Sequence, residues 1–291
     1  MIVPCDPLRP RRPDPHFADE AEAARNLGLE VGLVDHDQLE RARTSEDASA
    51  GLFRISAGSE VVYRGWMVTA DAYGRLERAL QARGAALRTT AADYRRAHEL
   101  PGWQHALEPL TPEACWTTGS DLDAFTDCLR RLGTGAAVLR DHTKSLKHHW
   151  HEAAYIPDVT DEAAARTVAG RFLELRGDAF DGGLVVRRFE EFVGPEARTW
   201  WVDGRHVLTS AHPDTPDELP TPPPGVLAEV AASLVPLDLR FVTVDLVRRA
   251  DGVWRLVELG DGQVSDRPRS CPAADLVSAL VGAPAGGPGR L

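Results

Sequence analysis

The sequence predicts a protein that mixes helices and strands and opens on an α/β unit, and three observations predict it. Strand, helix and strand follow one another at βαβ spacing over residues 1–34. Apolar runs of strand length then alternate with amphipathic stretches of helix length through the rest of the chain. Two Asp-Gly pairs, Asp203-Gly204 and Asp251-Gly252, each lie between apolar runs, a strong hairpin signal. With 291 residues the chain has material for two or three packed units.

Composition narrows the function classes. A net charge of −11 argues against nucleic acid as a bulk electrostatic partner, while leaving room for an anionic substrate in a local basic cleft. The four cysteines, Cys5, Cys115, Cys128 and Cys271, form no C-x-x-C pair, so neither a zinc site nor a disulfide framework is expected and the thiols suit a reducing cytosol. The start, Met1-Ile2-Val3-Pro4, has no apolar core of a signal peptide, and no apolar run approaches the ~18 residues of a membrane span. The expected setting is the cytoplasm, with no membrane and no nucleic acid.

In order, Ile2 and Val3 open a short strand that stops at Pro4. Residues 6–16 read as a proline-punctuated basic loop at the sheet's carboxyl edge, where open α/β sheets bind ligands. It has no G-x-G-x-x-G, but Arg9, Arg11, Arg12, Asp14 and His16 could meet an anionic or amino-acid substrate. A helix is expected over 17–26, ended by Gly28, and a buried strand over 29–34. Residues 51–56 and 60–63 read as a strand pair leading to Arg64-Gly65-Trp66, where Gly65 suits a tight turn and Arg64 and Trp66 are site candidates. A helix over 70–84 and a strand from Leu87 close a first unit.

Thr111-Pro112-Glu113 resembles a helix start. Helix 121–132 and strand 136–140 lead into Asp141-His142-Thr143-Lys144-Ser145-Leu146-Lys147-His148-His149-Trp150-His151, a locally basic run. Arg140, Lys144 and Lys147 are spaced to direct several cations at one polyanion; the rival readings are a solvated turn and metal binding by His148, His149 and His151. Helix 161–175 is expected with Thr160 as its N-cap. After strand 184–192 comes a hairpin about Asp203-Gly204 in which Glu196 and Arg198 leave the same face. Residues 213–224 read as a proline-rich loop, 226–234 and 275–281 as helices, and 284–291 as a disordered Gly/Pro tail.

The run around which the chain is organised is 241–265. Each strand of its hairpin carries one acid among apolar neighbours, Asp245 and Glu258. A lone buried carboxylate is costly, so the two either stand on a solvated face or share a cation. Gly260-Asp261-Gly262-Gln263 follows at once and can present further oxygen ligands.

Together these segments resemble the ATP-grasp superfamily, specifically the clade named for two arginines and a lysine. The resemblance spans nearly the whole chain and rests on G-G-L-V-V-R-R-F-E-E-F, E-A-R-T-W-W-V-D-G, V-D-L-V and L-V-E-L-G-D-G-Q in that order. It implies an N-terminal α/β pre-ATP-grasp domain (1–92) and two α+β subdomains (93–188 and 189–283) that clasp ATP. Arg188, Phe189, Glu190, Glu191 and Phe192 match the hinge that meets adenine and ribose. Arg140, Lys144 and Lys147 match the region that holds the phosphates. Arg198 matches the arginine near the transferred phosphate, with Glu196 beside it, so that Arg198 and Lys144 take the catalytic roles.

Asp245 and Glu258 match the two magnesium-binding acids, joined by Asp261. Arg9, His16, Arg64 and Gln263 are left for the substrate. The chain departs from the pattern twice: Gly260 stands where an asparagine is usual, leaving Asp261 or Gln263 as substitutes, and Arg140 stands where lysine is common. The implied function is an ATP- and Mg²⁺-dependent carboxylate–amine ligase working through an acyl phosphate on an amino acid or small peptide. A kinase-like phosphotransferase and a silent nucleotide-binding module are the alternatives. Expected partners are small-molecule carboxylate and amine substrates and, at most, a second copy of the chain.

Overall fold

The structure is a computed structural model that describes residues 1–282; the expected tail over 284–291 lies outside the described residues. The chain divides into two compact units. Unit 1 comprises Met1–Ala97, Pro195–Asp245 and the chain from Glu258 on, and unit 2 comprises His98–Gly194 and Leu246–Val257.

Unit 1 opens with β1 (Ile2–Asp6), fully buried because every side chain of Ile-Val-Pro-Cys-Asp meets another layer, and β2 (Arg9–Pro13) folds back beside it. The sequence expectation of a loop here needs correction. Pro10 and Pro13 are tolerated because β2 is an edge strand, whose outward N–H groups have no ladder partner to lose. Helix α1 (Ala18–Asn26) ends before Gly28, whose φ of +77° is the left-handed geometry expected after a helix. Strand β3 (Gly32–Val34) then pairs in parallel with β1, completing the βαβ start.

Two short helices, α2 (His36–Arg41) and α3 (Ser45–Ala50), were not legible, although Thr44 and Asp47 form a full capping box on α3. Strands β4 (Leu52–Phe53) and β5 (Glu60–Val61) do not pair with each other as expected. β4 joins β3, and β5 joins β6 (Ala86–Leu87) across α4 (Ala70–Gln81). Helix α5 (Ala91–His98) ends this stretch, its Tyr94 stacked on Tyr73 at 4.1 Å in a core with Leu76 and Leu80.

Unit 2 is built on the sheet order β7-β10-β8-β9, with β7 (Ala114–Trp116), β8 (Ala137–Asp141), β9 (Tyr155–Ile156) and β10 (Leu184–Arg188). Helices α6 (Leu122–Leu132) and α7 (Glu162–Arg176) bury Phe125, Leu129, Ala169 and Phe172 against Leu139 and Val186. No helix starts at Thr111. Its hydroxyl donates to the Leu256 carbonyl, and β7 follows. The N-cap of α7 is Asp161 rather than Thr160, its carboxylate accepting from the Ala164 N–H.

The chain then runs through β11 (Phe192–Val202) and β12 (Arg205–Ala211), a hairpin about Asp203-Gly204 as expected, and α8 (Pro224–Leu234). Next come β13 (Phe241–Arg249) and β14 (Trp254–Asp261), joined at Ala250-Asp251-Gly252, and α9 (Ala273–Gly282). The sheet order is β12-β11-β13-β14. In unit 1, Trp200, Val202 and Phe241 pack with Leu276 and Leu280 of α9. No helix among the described residues is long and apolar enough to cross a membrane.

Candidate active site

In unit 1 the register of the β11–β12 hairpin, Ala197 opposite Ala211 and Arg198 opposite Ser210, carries three functional groups to one place. Alternation sends Glu196 and Arg198 off the same face, and His212 follows β12 with its N–H bonded to the Glu196 carbonyl at 3.2 Å. Arg198 reaches Asp245 of β13 through two parallel bonds, Nε to Oδ1 at 2.9 Å and Nη2 to Oδ2 at 2.8 Å. Its third arm donates to the Asp266 carbonyl at 3.0 Å. Both partners are buried.

In this structure the counter-charge beside Asp245 on its apolar strand is Arg198. Burial disfavours the charged form of Arg198. The carboxylate of Asp245, with Glu258 and Glu196 behind it, outweighs burial and raises its pKa. His212 Nε2 lies 3.6 Å from Asp245 Oδ2 and 4.0 Å from Glu196 Oε2, and its Nδ1 lies 3.8 Å from Asp214.

Glu196, His212 and Asp245 each offer a ligand atom within 4.8 Å of the others. Carboxylate oxygens suit Mg²⁺, while the imidazole is a softer donor suited to Mn²⁺ or Zn²⁺. The residues present thus fit a divalent cation. His212 escaped the sequence reading because only the hairpin register places it.

The run after β14 is different from expectation. Asp261 is buried, its Oδ1 accepting from the Gln263 N–H at 2.9 Å while Oδ2 has no hydrogen-bond partner. Burial pushes its pKa up to about 7. Asp261 lies in the interior beside Tyr73 and Tyr94 and is not one of the Glu196, His212 and Asp245 group whose ligand atoms converge. Gln263 is corrected from the substrate set. It is fully buried, taking the Tyr63 N–H at 3.0 Å and donating to the Tyr73 hydroxyl at 2.5 Å.

Where an asparagine was implied, Gly260 leaves bare backbone. A Cβ there would stand 3.2 Å from Thr243 Oγ1 and 3.3 Å from Ser265 Oγ, two hydroxyls bonded to each other at 2.6 Å. Arg64 is also no substrate residue. It is 1% exposed, bonded twice to Glu20 at 2.7 and 2.9 Å and donating to the carbonyls of Gly262, Gln263 and Ser265. Gly65 owes its identity to close packing: a Cβ would lie 2.3 Å from the Tyr63 ring.

Arg9 is exposed and tied to Asp6 at 2.8 Å. His16 is exposed too, and Nε2 meets Asp266 Oδ1 at 2.7 Å.

In unit 2 the basic turn is organised by an acid. The buried Asp141 accepts from the Thr143 N–H at 2.9 Å, the Lys144 N–H at 2.6 Å and Arg176 Nε at 2.8 Å. Arg140 is buried, its guanidinium bonded to the carbonyls of Asp141 and Thr143. Lys144 and Lys147 are exposed on this turn. Arg188 pairs with Glu113 at 2.9 Å. Glu190 is held by Arg255 through two bonds of 2.8 Å, with Arg249 at 3.5 Å, and Glu191 is exposed.

Phe189 meets Tyr155 edge-on at 5.4 Å, and Tyr155 stacks on Trp150 at 5.4 Å; Phe192 is half-buried. Tyr155, Arg249 and Arg255 are further residues of this region that sequence reasoning missed, while Asp141 and Trp150 were read only as members of the basic run. Each reaches it through strand pairing or a turn that periodicity does not encode.

Solved structures share the fold across nearly the full chain. The RimK domain ATP-grasp protein of Sphaerobacter thermophilus matches with a TM-score of 0.65 and 19% identity over 97% of this chain and 98% of its own. D-cycloserine synthetase DcsG gives 0.62 and 18% over 97% and 98%. The ATP-grasp ligase PsnB, solved with a minimal precursor, Mg and ADP, gives 0.57 and 14% over 97% and 97%. No curated protein sequence matches the chain. A family model described as an ATP-grasp domain, family 3 of the clade named for two arginines and a lysine, matches residues 131–280, more than half of the chain, and the chain therefore belongs to that family of ATP-grasp proteins.

Proposed function

We propose that this chain is an ADP-forming, Mg²⁺-dependent ligase that activates a carboxylate as an acyl phosphate and captures it with an amine. The single observation that carries the reading is the Arg198–Asp245 pair with Glu196 beside it and Glu258 acting on it. A guanidinium fork is suited to phosphoryl oxygens, and acids at its side are suited to a cation that neutralises them. Bound Mg²⁺ would offset negative charge on the phosphate oxygens.

Arg198 then orients the transferring group, exchanging part of its hold on Asp245 for phosphate oxygens. In unit 2, Lys144 and Lys147 meet nucleotide phosphates from a turn that Asp141 keeps in shape, and Trp150, Tyr155 and Phe189 offer flat apolar faces to a base. Arg140, Glu191 and the backbone of Phe192 remain assigned to the nucleotide. The substrate class is an amino acid or small peptide, and ligase neighbours such as PsnB and DcsG support that choice. The scattered cysteines support a reducing cytoplasm.

Phosphate release by the purified protein with ATP, Mg²⁺ and pooled amino acids tests the reading. Release that requires a carboxylate and an amine together is expected. ADP without free phosphate would instead mean transfer to a hydroxyl. Glu258→Gln should abolish Mg²⁺-dependent turnover with an unchanged circular-dichroism spectrum, and normal turnover would sink the metal assignment.

A further inference from the structure

We infer that His16 and Asp266 form a general-base couple that removes a proton from the incoming amine, an inference that rests on the ligase reading above. His16 lies on the loop between β2 and α1, and Asp266 on the run after β14, 250 residues apart in sequence yet bonded at 2.7 Å. Both side chains are partly exposed, at 38% and 47%, so the couple can be reached. Its location gives it meaning. The same Asp266 whose carboxylate meets His16 gives its backbone carbonyl to Arg198 Nη1 at 3.0 Å. One residue therefore joins the imidazole to the arginine that grips Asp245.

The ring is also held in place. Trp66 lies against it with centroids 4.4 Å apart, Phe17 meets it edge-on at 4.8 Å, and the His16 backbone N–H, donating to Asp14 Oδ1 at 2.8 Å, fixes the main chain beneath it. With the proton on Nε2 and directed at Asp266, Nδ1 carries the lone pair, the arrangement by which a carboxylate orients a catalytic imidazole. The charged groups set against His16 are Asp266 and, from its own loop, Asp14. Phe17 and Trp66 bring rings without charge. A carboxylate on the imidazole, with a second on the loop that carries it, favours a cationic visitor, which is what an ammonium substrate is before it reacts.

The step balances. Nδ1 takes one proton from the ammonium, and the freed nitrogen lone pair attacks the acyl-phosphate carbonyl carbon. The C–N bond forms, the C–O bond to phosphate breaks, and the second proton leaves with the phosphate. The amide, hydrogen phosphate and one imidazolium proton are the products.

Hydroxylamine separates this role from the rest of the machinery, because it is already unprotonated at neutral pH and needs no base. Wild type, His16→Gln and Asp266→Asn would be supplied with ATP, Mg²⁺ and each of the twenty proteinogenic amino acids as carboxylate donor. The nucleophile would be either hydroxylamine or the same amino acids.

His16→Gln should keep hydroxamate formation within about 2-fold of wild type while amide formation at pH 7 falls about 100-fold or more, the usual span of general-base catalysis. The amide deficit should shrink as the pH is raised toward 9 and the amine loses its proton unaided. Asp266→Asn, which keeps the side chain's size, should give a smaller loss of the same kind and carries the test should His16→Gln not fold. Equal losses with both nucleophiles, or amide formation unchanged with its pH profile intact, would overturn the assignment. Wild type that makes neither hydroxamate nor phosphate with any donor would overturn the ligase reading and the inference with it.

Discussion

Arg198 and Asp245 face each other across β11 and β13 through two parallel hydrogen bonds of 2.9 and 2.8 Å, in a site that leaves both side chains at or below 10% exposure. A buried pair of this geometry is specific without being a large net source of stability, because desolvation offsets most of the attraction. Removing one member is another matter, since the survivor is a buried uncompensated charge. Asp245→Ala should therefore lower unfolding free energy by about 3–5 kcal/mol, and the double variant Arg198→Met/Asp245→Leu by much less. Urea unfolding of the three proteins checks this. Equal losses in the single and double variants would mean that the pair is not the source.

Arg64 presents a second buried charge with a purely architectural task. It holds Glu20 and three carbonyls of the run after β14, so it ties α1 to the segment that presents Asp266. Arg64→Lys keeps the charge but loses the fork that satisfies carboxylate and carbonyls together. The expected cost is about 2–4 kcal/mol, with loss of hydrogen-exchange protection concentrated in residues 262–267. Uniform protection in that variant would remove Arg64 from this role.

These two arginines show what the sequence could and could not say. The hairpins were legible because Asp-Gly turns and period-two alternation are local signals, and alternation alone put Glu196 and Arg198 on one face. That Arg198 finds Asp245 was not legible, because the pairing of β11 with β13 is set by long-range register. Arg64 and Gln263 were misjudged for a common reason. Polar residues beside a Gly-rich turn look like site residues, and only the packing of α4, α5 and β1 around them makes them interior. His212 and Tyr155 were missed because register and turn geometry, not residue spacing, bring them to the site. β2 was missed because prolines mask an edge strand that needs half its hydrogen bonds.

Cys115 of β7 offers a chemical test of unit 2. Its thiol receives the S–H of Cys128 from α6 and has Arg131 Nη1 3.9 Å away. These outweigh burial and lower its pKa, while burial raises those of Cys5 and Cys271. It also lines a surface depression with Glu113, Trp116 and Arg131. Iodoacetamide at pH 7 should modify Cys115 before Cys5 or Cys271, and Arg131→Ala should slow it several-fold. Mass mapping of labelled peptides reads the order, and Cys271 reacting first would contradict it.

Asp261 sets a pH dependence whose sign is opposite to that of most carboxylates. Burial raises its pKa from an ordinary 3.8 to about 7, so between those values the folded chain binds a proton that the unfolded chain does not. Its contribution is full below pH 3.8 and is lost as pH rises through about 7, amounting to about 4 kcal/mol at most. Asp261→Asn keeps an oxygen to accept the Gln263 N–H and has no proton to lose in this range. Relative to wild type the variant should gain stability from pH 5 to about pH 7 and level off above it, whatever its cost at pH 5. Parallel unfolding curves for the two proteins across that range would mean that Asp261 is ionised in the folded state, and a counter-charge would then have to be found beside its Oδ2.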